Sequence, residues 1–136
     1  MSFFGRLLAA LIILAALPFH ALVPVIQGLN FIDQNIYEML AGADPLITAY
    51  VDAGPLPGLL LLFSTLCLGG ALVGVLRGER WAASLILLIA VADAVSVYLA
   101  NTMGYTELPL SILQIVMLGA GMVLLFLLVR GVTKPV

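Results

Sequence analysis

Charged residues are scarce in this chain. Only 9% of its 136 residues are charged and 64% are hydrophobic, whereas an ordinary soluble domain has about 25% and about 45–50%. A chain of this length cannot bury so much apolar surface in water as one compact domain. The composition therefore predicts an integral membrane protein.

Histidine and cysteine are nearly absent, with His20 and Cys67 the sole examples. One cysteine excludes an internal dithiol relay, and one histidine excludes bis-histidine haem ligation within the chain. Metal-ligand spacing, phosphate-binding glycine loops and nucleophilic triads are all missing. We expect no catalytic residue, metal site or cofactor of its own, and the interpretation leans against an enzyme. A lipid or a quinone remains a candidate ligand, while the 5 basic residues are too few for nucleic acid.

Long apolar runs dominate the sequence, and four of them approach the ~20 residues that a helix needs to cross a bilayer. Backbone amides cannot stay unpaired in lipid, so each run is predicted to be a helix. The first run lacks a small–x–small cleavage pattern after Pro18, which favours a retained helix over a signal peptide. We predict an all-α membrane protein, a four-transmembrane-helix bundle in one domain over 1–136, with spans at 7–26, 56–76, 81–99 and 109–129.

The basic residues share one side of this arrangement. The two connections on the other side carry acids but no lysine or arginine. By the positive-inside rule, both termini are predicted to be cytoplasmic. Small multidrug transporters need an acid in the first helix, and those that insert in both directions need a weak bias of basic residues. This chain has no acid in its first span and a strong basic bias, so it is not expected to be such a transporter. The basic residues are Arg6, Arg77, Arg80, Arg130 and Lys134.

The outer segment 30–53 is predicted to contain one or two short interfacial helices. Asn30 would cap the first, with Asp33 in its first turn, and Asp44-Pro45 would begin the second. Their apolar positions form candidate docking stripes. The segment either lies over the end of the bundle, or acts as a lid or as a docking surface for another protein. The stripe residues are Ile32, Ile36, Met39, Leu40, Leu46, Ile47 and Tyr50.

Small residues mark candidate helix contacts. Gly70 and Gly74 have GxxxG spacing in the second span, Gly78 continues the series, and Gly119 and Gly121 lie in the fourth. Such positions let helix backbones approach closely in lipid. Packing within the bundle is favoured over a subunit interface.

The segment LLIAVADAVSVYLA, residues 87–100, places Asp93 in the third span, roughly 18 Å from its basic end at 1.5 Å per residue. A carboxylate at that depth is costly unless it faces protein or water. His20 lies roughly 21 Å deep in the first span and is the predicted partner. Ser96 and Gln114 are further candidate members, with Ser64 and Thr65 as extra hydrogen-bond donors. The cluster is either a polar clasp that fixes helix register or a site for protons or a small ligand.

A familiar pattern occupies residues 54–94, GPLPGLLLLFSTLCLGGALVGVLRGERWAASLILLIAVADA. The entry to the second span, the Gly-Gly pair, the short basic turn and the alanine-rich start of the third span resemble the DoxX-like family of small four-helix bacterial membrane proteins. That family usually has an acid before the Gly-Gly pair, where this chain has Thr65 and Cys67. The resemblance implies a place in the bacterial inner (cytoplasmic) membrane and an association with membrane redox systems. No functional residue is carried over.

Two functional hypotheses follow. The first is a non-catalytic accessory subunit that packs against, and stabilises or assembles, a larger energy-converting or redox membrane complex. The second is a small quinone-, lipid- or proton-handling membrane protein that uses the Asp93–His20 pair.

Overall fold

The computed structural model describes residues 3–103 and 112–133, apart from the side chains of Leu46, Asn101, Met103, Ile112 and Gln114. This part of the chain is helical and contains no strand. The helices are α1 (Phe3–Leu29), α2 (Gln34–Ala41), α3 (Pro45–Asp52), α4 (Pro55–Arg77), α5 (Trp81–Met103) and α6 (Ile112–Val132).

Four of these helices are long and apolar enough to cross a membrane, with mean hydropathies between 2.2 and 2.4. The qualifying stretches lie in α1, α4, α5 and α6, and α2 and α3 are the two short helices between the first two spans. The predicted all-α fold with four membrane-spanning helices is therefore confirmed, and the chain is a multi-pass membrane protein. Helix α1 continues through Pro18 and Pro24, as membrane helices tolerate when the freed carbonyls find other partners.

The turn between α4 and α5 depends on one glycine. Gly78 ends α4 in the left-handed conformation, with φ 73°, and its N–H bonds to the Gly74 and Val75 carbonyls. Only glycine adopts this conformation without strain. Trp81 starts α5 three residues later, so α4 and α5 are antiparallel neighbours.

The cap of α2 differs from the predicted one. Asp33, and not Asn30, occupies the N-cap, where its carboxylate accepts hydrogen bonds from the backbone N–H groups of Asn35 and Ile36. The N–H of Asn30 is still engaged with the Gln27 carbonyl at the end of α1. Because α1 runs to Leu29, beyond the predicted span, the next helix begins later.

Helix α4 is the centre of the bundle and packs most extensively against α5 and α1. The main apolar core lies in the half of the bundle that carries Arg6, Arg77, Arg80 and Arg130, which we call the arginine end. A smaller cluster of Ala49, Ala53 and Ala100 joins α3 to α5 at the opposite end. The main core consists of Ala9, Ala10, Ile13, Cys67, Leu68, Ala71, Val75, Ala82, Ala83, Ile86, Ile89, Leu125 and Val129.

Two of the predicted packing glycines on α4 lie at close helix contacts. A Cβ on Gly74 would lie 2.9 Å from the Ala82 Cβ and 3.1 Å from the Trp81 ring. A Cβ on Gly70 would lie 3.0 Å from a methyl carbon of Leu85. Helix α4 therefore meets α5 along its glycine-bearing face, as close packing in lipid requires.

Helix α6 joins the bundle through only one half. Leu125 and Val129 are in the main core, but every described side chain from Leu113 to Gly121 is exposed. A Cβ on Gly119 or Gly121 would have no atom within 4 Å. The sequence favoured packing of these two glycines within the bundle, but among the described residues neither glycine lies at a close helix contact.

Candidate functional site

A polar layer lies between the two apolar clusters. His20 on α1, Ser64 on α4 and Asp93 on α5 converge there. His20 Nε2 is 2.6 Å from Asp93 Oδ2, and Ser64 donates a hydrogen bond of 2.8 Å to Asp93 Oδ1. Each carboxylate oxygen has a partner, and the partners come from two different helices. The cluster therefore joins α1, α4 and α5 at one depth.

The hydrogen-bond pattern assigns one proton to the His20–Asp93 pair. His20 Nδ1 lies 2.9 Å from the Ala16 carbonyl oxygen, which can only accept, so Nδ1 must carry a hydrogen. A neutral imidazole would then have Nε2 as an acceptor facing a carboxylate. The 2.6 Å contact consequently requires one further proton, held by Nε2 or by Asp93 Oδ2. Moving that proton between the two atoms interconverts an ion pair and a neutral pair.

The cluster is only partly enclosed. Ser64 is fully buried, whereas the side chains of His20 and Asp93 keep 16% and 24% of their surface exposed. Asp93 lies ~18 Å along α5 from Trp81, and Gly119 lies ~17 Å along α6 from Arg130. The part of α6 at the depth of the cluster is therefore in its exposed half, and it does not close the bundle there.

Other predicted members of the cluster bind elsewhere or are not described. Ser96 is fully buried but donates its hydrogen bond to the Ala92 carbonyl of its own helix, at 2.8 Å. Thr65 likewise donates to the Leu61 carbonyl, at 2.8 Å. Both are internal bonds of the kind that serine and threonine make in helices. Gln114 belongs to α6, but its side chain lies outside the described residues.

A second polar contact joins α1 to the start of α4, and the sequence reasoning missed it. Gln27 Nε2 donates to the Gly54 carbonyl oxygen at 3.0 Å. The Gln27 side-chain amide also occupies the space that a Cβ on Gly58 would need. Gly58, one turn into α4, could have indicated this contact in the sequence, because a glycine there lets the Gln27 side chain approach the α4 backbone closely.

Tyr50 connects α3 with the polar layer electrostatically. Burial is the main reason that its pKa is raised to about 12, and the negative charge of Asp93 adds to the effect. Tyr50 packs onto the alanine cluster formed by α3 and α5. Tyr50, a residue of the predicted docking stripe, therefore packs at this end of the bundle, and its pKa responds to the charge of Asp93.

The remaining stripe residues divide into two groups. Ile32, Ile36 and Met39 are exposed by 83%, 40% and 66%, whereas Leu40 and Ile47 are half-buried. The side chain of Leu46 lies outside the described residues. Phe31, which the stripe prediction omitted, is 90% exposed beside Ile32. An apolar surface consequently remains open at the end opposite the arginines.

The described residues contain no group of three or more histidine, cysteine or acidic side chains that could hold a metal ion. Comparison with family models, curated proteins and solved structures gave no match to this chain.

Proposed function

We propose that this membrane protein is a non-catalytic accessory subunit. It packs against a larger membrane protein complex and stabilises or assembles it. The observation that carries the proposal is the exposed half of α6, where every described side chain from Leu113 to Gly121 is exposed and a Cβ on Gly119 or Gly121 would have no atom within 4 Å.

Exposure on one side of a membrane helix needs no partner, because lipid covers it. Exposure on all sides is different, since residues 113–121 make about two and a half turns and so cover the whole circumference. This half of α6 includes the small residues Gly119, Ala120 and Gly121. Small residues allow the close backbone approach through which helices associate in lipid. A transmembrane helix of another protein is therefore the occupant that this surface fits.

The exposed apolar residues beside the short helices support the same proposal. Phe31, Ile32 and Met39 lie outside the four spans. Large exposed apolar patches outside the hydrocarbon region mark interaction sites. Acidic residues in the same segment, including Asp33 and Glu38, oppose attraction to anionic lipid. A protein partner therefore explains this surface better than an anionic membrane surface does.

The location and the class of complex belong to the proposal as well. The DoxX-like resemblance and the one-sided arginines point to the bacterial inner membrane, with both termini cytoplasmic. The same resemblance points to an energy-converting or redox complex as the partner.

Purification in a mild detergent, with variants on α6, tests the proposal. We expect wild-type protein to retain a stoichiometric membrane-protein partner, and Gly119→Leu to lose it. Gly131→Leu is the matched control, because a Cβ at Gly131 also has no atom within 4 Å but lies at the arginine end. Recovery of the wild-type chain by itself would refute the proposal, as would equal loss of the partner in both variants.

The second candidate function is handling of protons or of a small ligand such as a quinone at the His20–Asp93 pair. The specific observation in its favour is the 2.6 Å contact between His20 Nε2 and Asp93 Oδ2, combined with the residual exposure of both side chains. Intramembrane ionisable residues commonly belong to proton or substrate pathways. One observation opposes it: His20, Ser64 and Asp93 already form hydrogen bonds with one another, so the cluster needs no ligand to complete them.

Reconstituted vesicles distinguish this second candidate. If the pair conducts protons, an imposed pH gradient decays faster with wild-type protein than without protein, and the Asp93→Asn, His20→Gln double variant returns the decay to the protein-free rate. Ser96→Ala is the control, since Ser96 bonds only within α5. Equal decay rates for the wild type and the double variant exclude the proton pathway. If the Asp93→Asn, His20→Gln double variant keeps full partner binding and full function, binding of a small ligand such as a quinone at this pair is excluded as well.

A further inference from the structure

A groove between α5 and α6 lies at the arginine end. Its volume is about 410 Å³, and its wall includes Arg80, Trp81, Ser84 and Leu87 from the α5 side and Phe126 and Arg130 from α6. It is separate from the His20–Asp93 cluster and from the exposed half of α6, so it has no part in the proposed function.

The lining of the groove is polar near the arginine end and apolar further into the membrane. Arg80, Ser84 and Arg130 supply the hydrogen-bond donors, and Trp81 lies beside them. Leu87 is ~10 Å further along the chain from Arg80, towards the middle of the membrane. Phe126 is ~6 Å deeper than Arg130. The lining therefore changes from cationic to apolar over the distance that separates a lipid phosphate from its acyl chains.

Neither arginine of the groove forms an ion pair with an acid among the described residues. The ion pair within that part of the chain joins His20 to Asp93, away from the groove. Glu79 is next to Arg80 in sequence, but it neither lines the groove nor pairs with that arginine among the described residues. Two arginines that line one groove without an acidic partner favour an anion there, and arginine binds phosphate oxygens well.

We propose that this groove binds one anionic phospholipid of the surrounding bilayer. Arg80 and Arg130 hold its phosphate, Trp81 and Ser84 lie at the level of the headgroup, and an acyl chain follows Leu87 and Phe126. Basic pockets between transmembrane helices are a known form of anionic headgroup recognition. A tryptophan at this level matches the preference of indole for the membrane interface.

Trp81 provides a direct readout, since it is the only tryptophan in the sequence and lines the groove. Protein is reconstituted into vesicles of dioleoylphosphatidylcholine containing a minor fraction of either phosphatidylglycerol or phosphatidylcholine with dibrominated acyl chains. Bromine quenches indole fluorescence at short range, so the ratio of the two quenching curves gives the lipid preference at Trp81. We expect each arginine to contribute about a five-fold preference for phosphatidylglycerol. The preference should then be about 25-fold in the wild type, about five-fold with one arginine removed and close to one with both removed.

The variants are Arg80→Gln, Arg130→Gln and the combination of the two. Arg77→Gln is the matched control, because Arg77 ends α4 at the same end of the bundle but does not line the groove. It should change the preference by less than about two-fold. Helical content, measured by circular dichroism, should be the same in all variants, because Arg130 is exposed and Arg80 is half-buried.

Three outcomes would overturn the proposal. The first is equal quenching by the two brominated lipids in the wild type. The second is a loss of preference in Arg77→Gln as large as in Arg80→Gln, which would mean a general attraction of the arginine end. The third is full relief of phosphatidylglycerol quenching by millimolar inorganic phosphate or glycerol 3-phosphate, which would make the groove a site for soluble anions. Persistence of the quenching with those anions supports a lipid.

Discussion

His20 Nε2 lies 2.6 Å from Asp93 Oδ2, although 73 positions separate the two residues in the chain. The contact joins α1 to α5, the first and third membrane spans. Ser64 adds α4 through the other carboxylate oxygen. Three spans are thus linked through one acid at one depth.

This contact should appear as a coupling energy in a double-mutant cycle. We expect the losses of unfolding free energy for His20→Ala and Asp93→Ala to be non-additive by about 0.5–3 kcal/mol, as for side chains in direct contact. The measurement is SDS-induced unfolding in mixed micelles, followed by helical content. As a control, the cycle of His20→Ala with Val91→Ala should be additive to about 0.5 kcal/mol, because Val91 is 64% exposed. Additivity in the His20–Asp93 cycle would contradict the contact.

The two fully buried serines should respond differently to removal of the hydroxyl. Ser64→Ala deprives Asp93 of a donor from another helix and should lower the unfolding free energy by about 1–3 kcal/mol. In Ser96→Ala the Ala92 carbonyl loses the hydrogen bond from the serine hydroxyl but keeps the one from the helix backbone. This substitution should therefore lower the unfolding free energy by less than about 0.5 kcal/mol. The same SDS titration measures both. Equal losses would mean that Ser64 acts only through its volume.

The sequence predicted the fold class, because the lengths and compositions of the four apolar runs leave few alternatives in lipid. It failed at the helix ends. Asp33 caps α2 in place of Asn30, since α1 extends past the predicted limit of its span. Periodicity shows where a helix exists but does not show how many residues of the following connection continue it.

The candidate site was accessible to sequence reasoning only in part. Depth along two helices paired His20 with Asp93, and the structure places them in contact; the role of the pair stays a prediction. Depth does not give rotation about the helix axis, which is why Ser96, one turn beyond Asp93, bonds within its own helix. A small-residue pattern also does not show which part of a helix is packed: Gly70 and Gly74 face α5, whereas Gly119 and Gly121 lie in the exposed half of α6.

Gly74 should be the most sensitive glycine of α4 to an added methyl group. A Cβ there would lie 2.9 Å from the Ala82 Cβ, and that atom is fixed to the backbone and cannot rotate away. Gly74→Ala therefore forces α4 and α5 apart and should cost about 1–3 kcal/mol of unfolding free energy, as overpacking does. Gly69→Ala is the control, because a Cβ at Gly69 meets no atom within 4 Å. If Gly74→Ala proves as stable as Gly69→Ala, the close approach of the two helices is wrong.

Tyr50 should make the stability of the protein fall at high pH. A tyrosine of the unfolded chain ionises near pH 10, whereas burial, and then the charge of Asp93, raise the pKa of Tyr50 to about 12. The unfolded state therefore releases a proton that folded Tyr50 retains, so its contribution to stability is complete below about pH 10 and is lost as pH rises to about 12.

Titration of tyrosinate absorbance tests the same group directly. Tyr50→Phe should abolish the absorbance change near pH 12, whereas Tyr37→Phe, a substitution of the same kind in α2, should leave it in place. Asp93→Asn should move that step to lower pH, because it removes the negative charge that contributes to the shift. If Asp93→Asn leaves the absorbance step unchanged, burial alone raises the pKa of Tyr50. The charge of Asp93 would then have no effect on α3. A step that survives Tyr50→Phe would assign the shifted pKa to another tyrosine and would contradict an effect of Asp93 on α3.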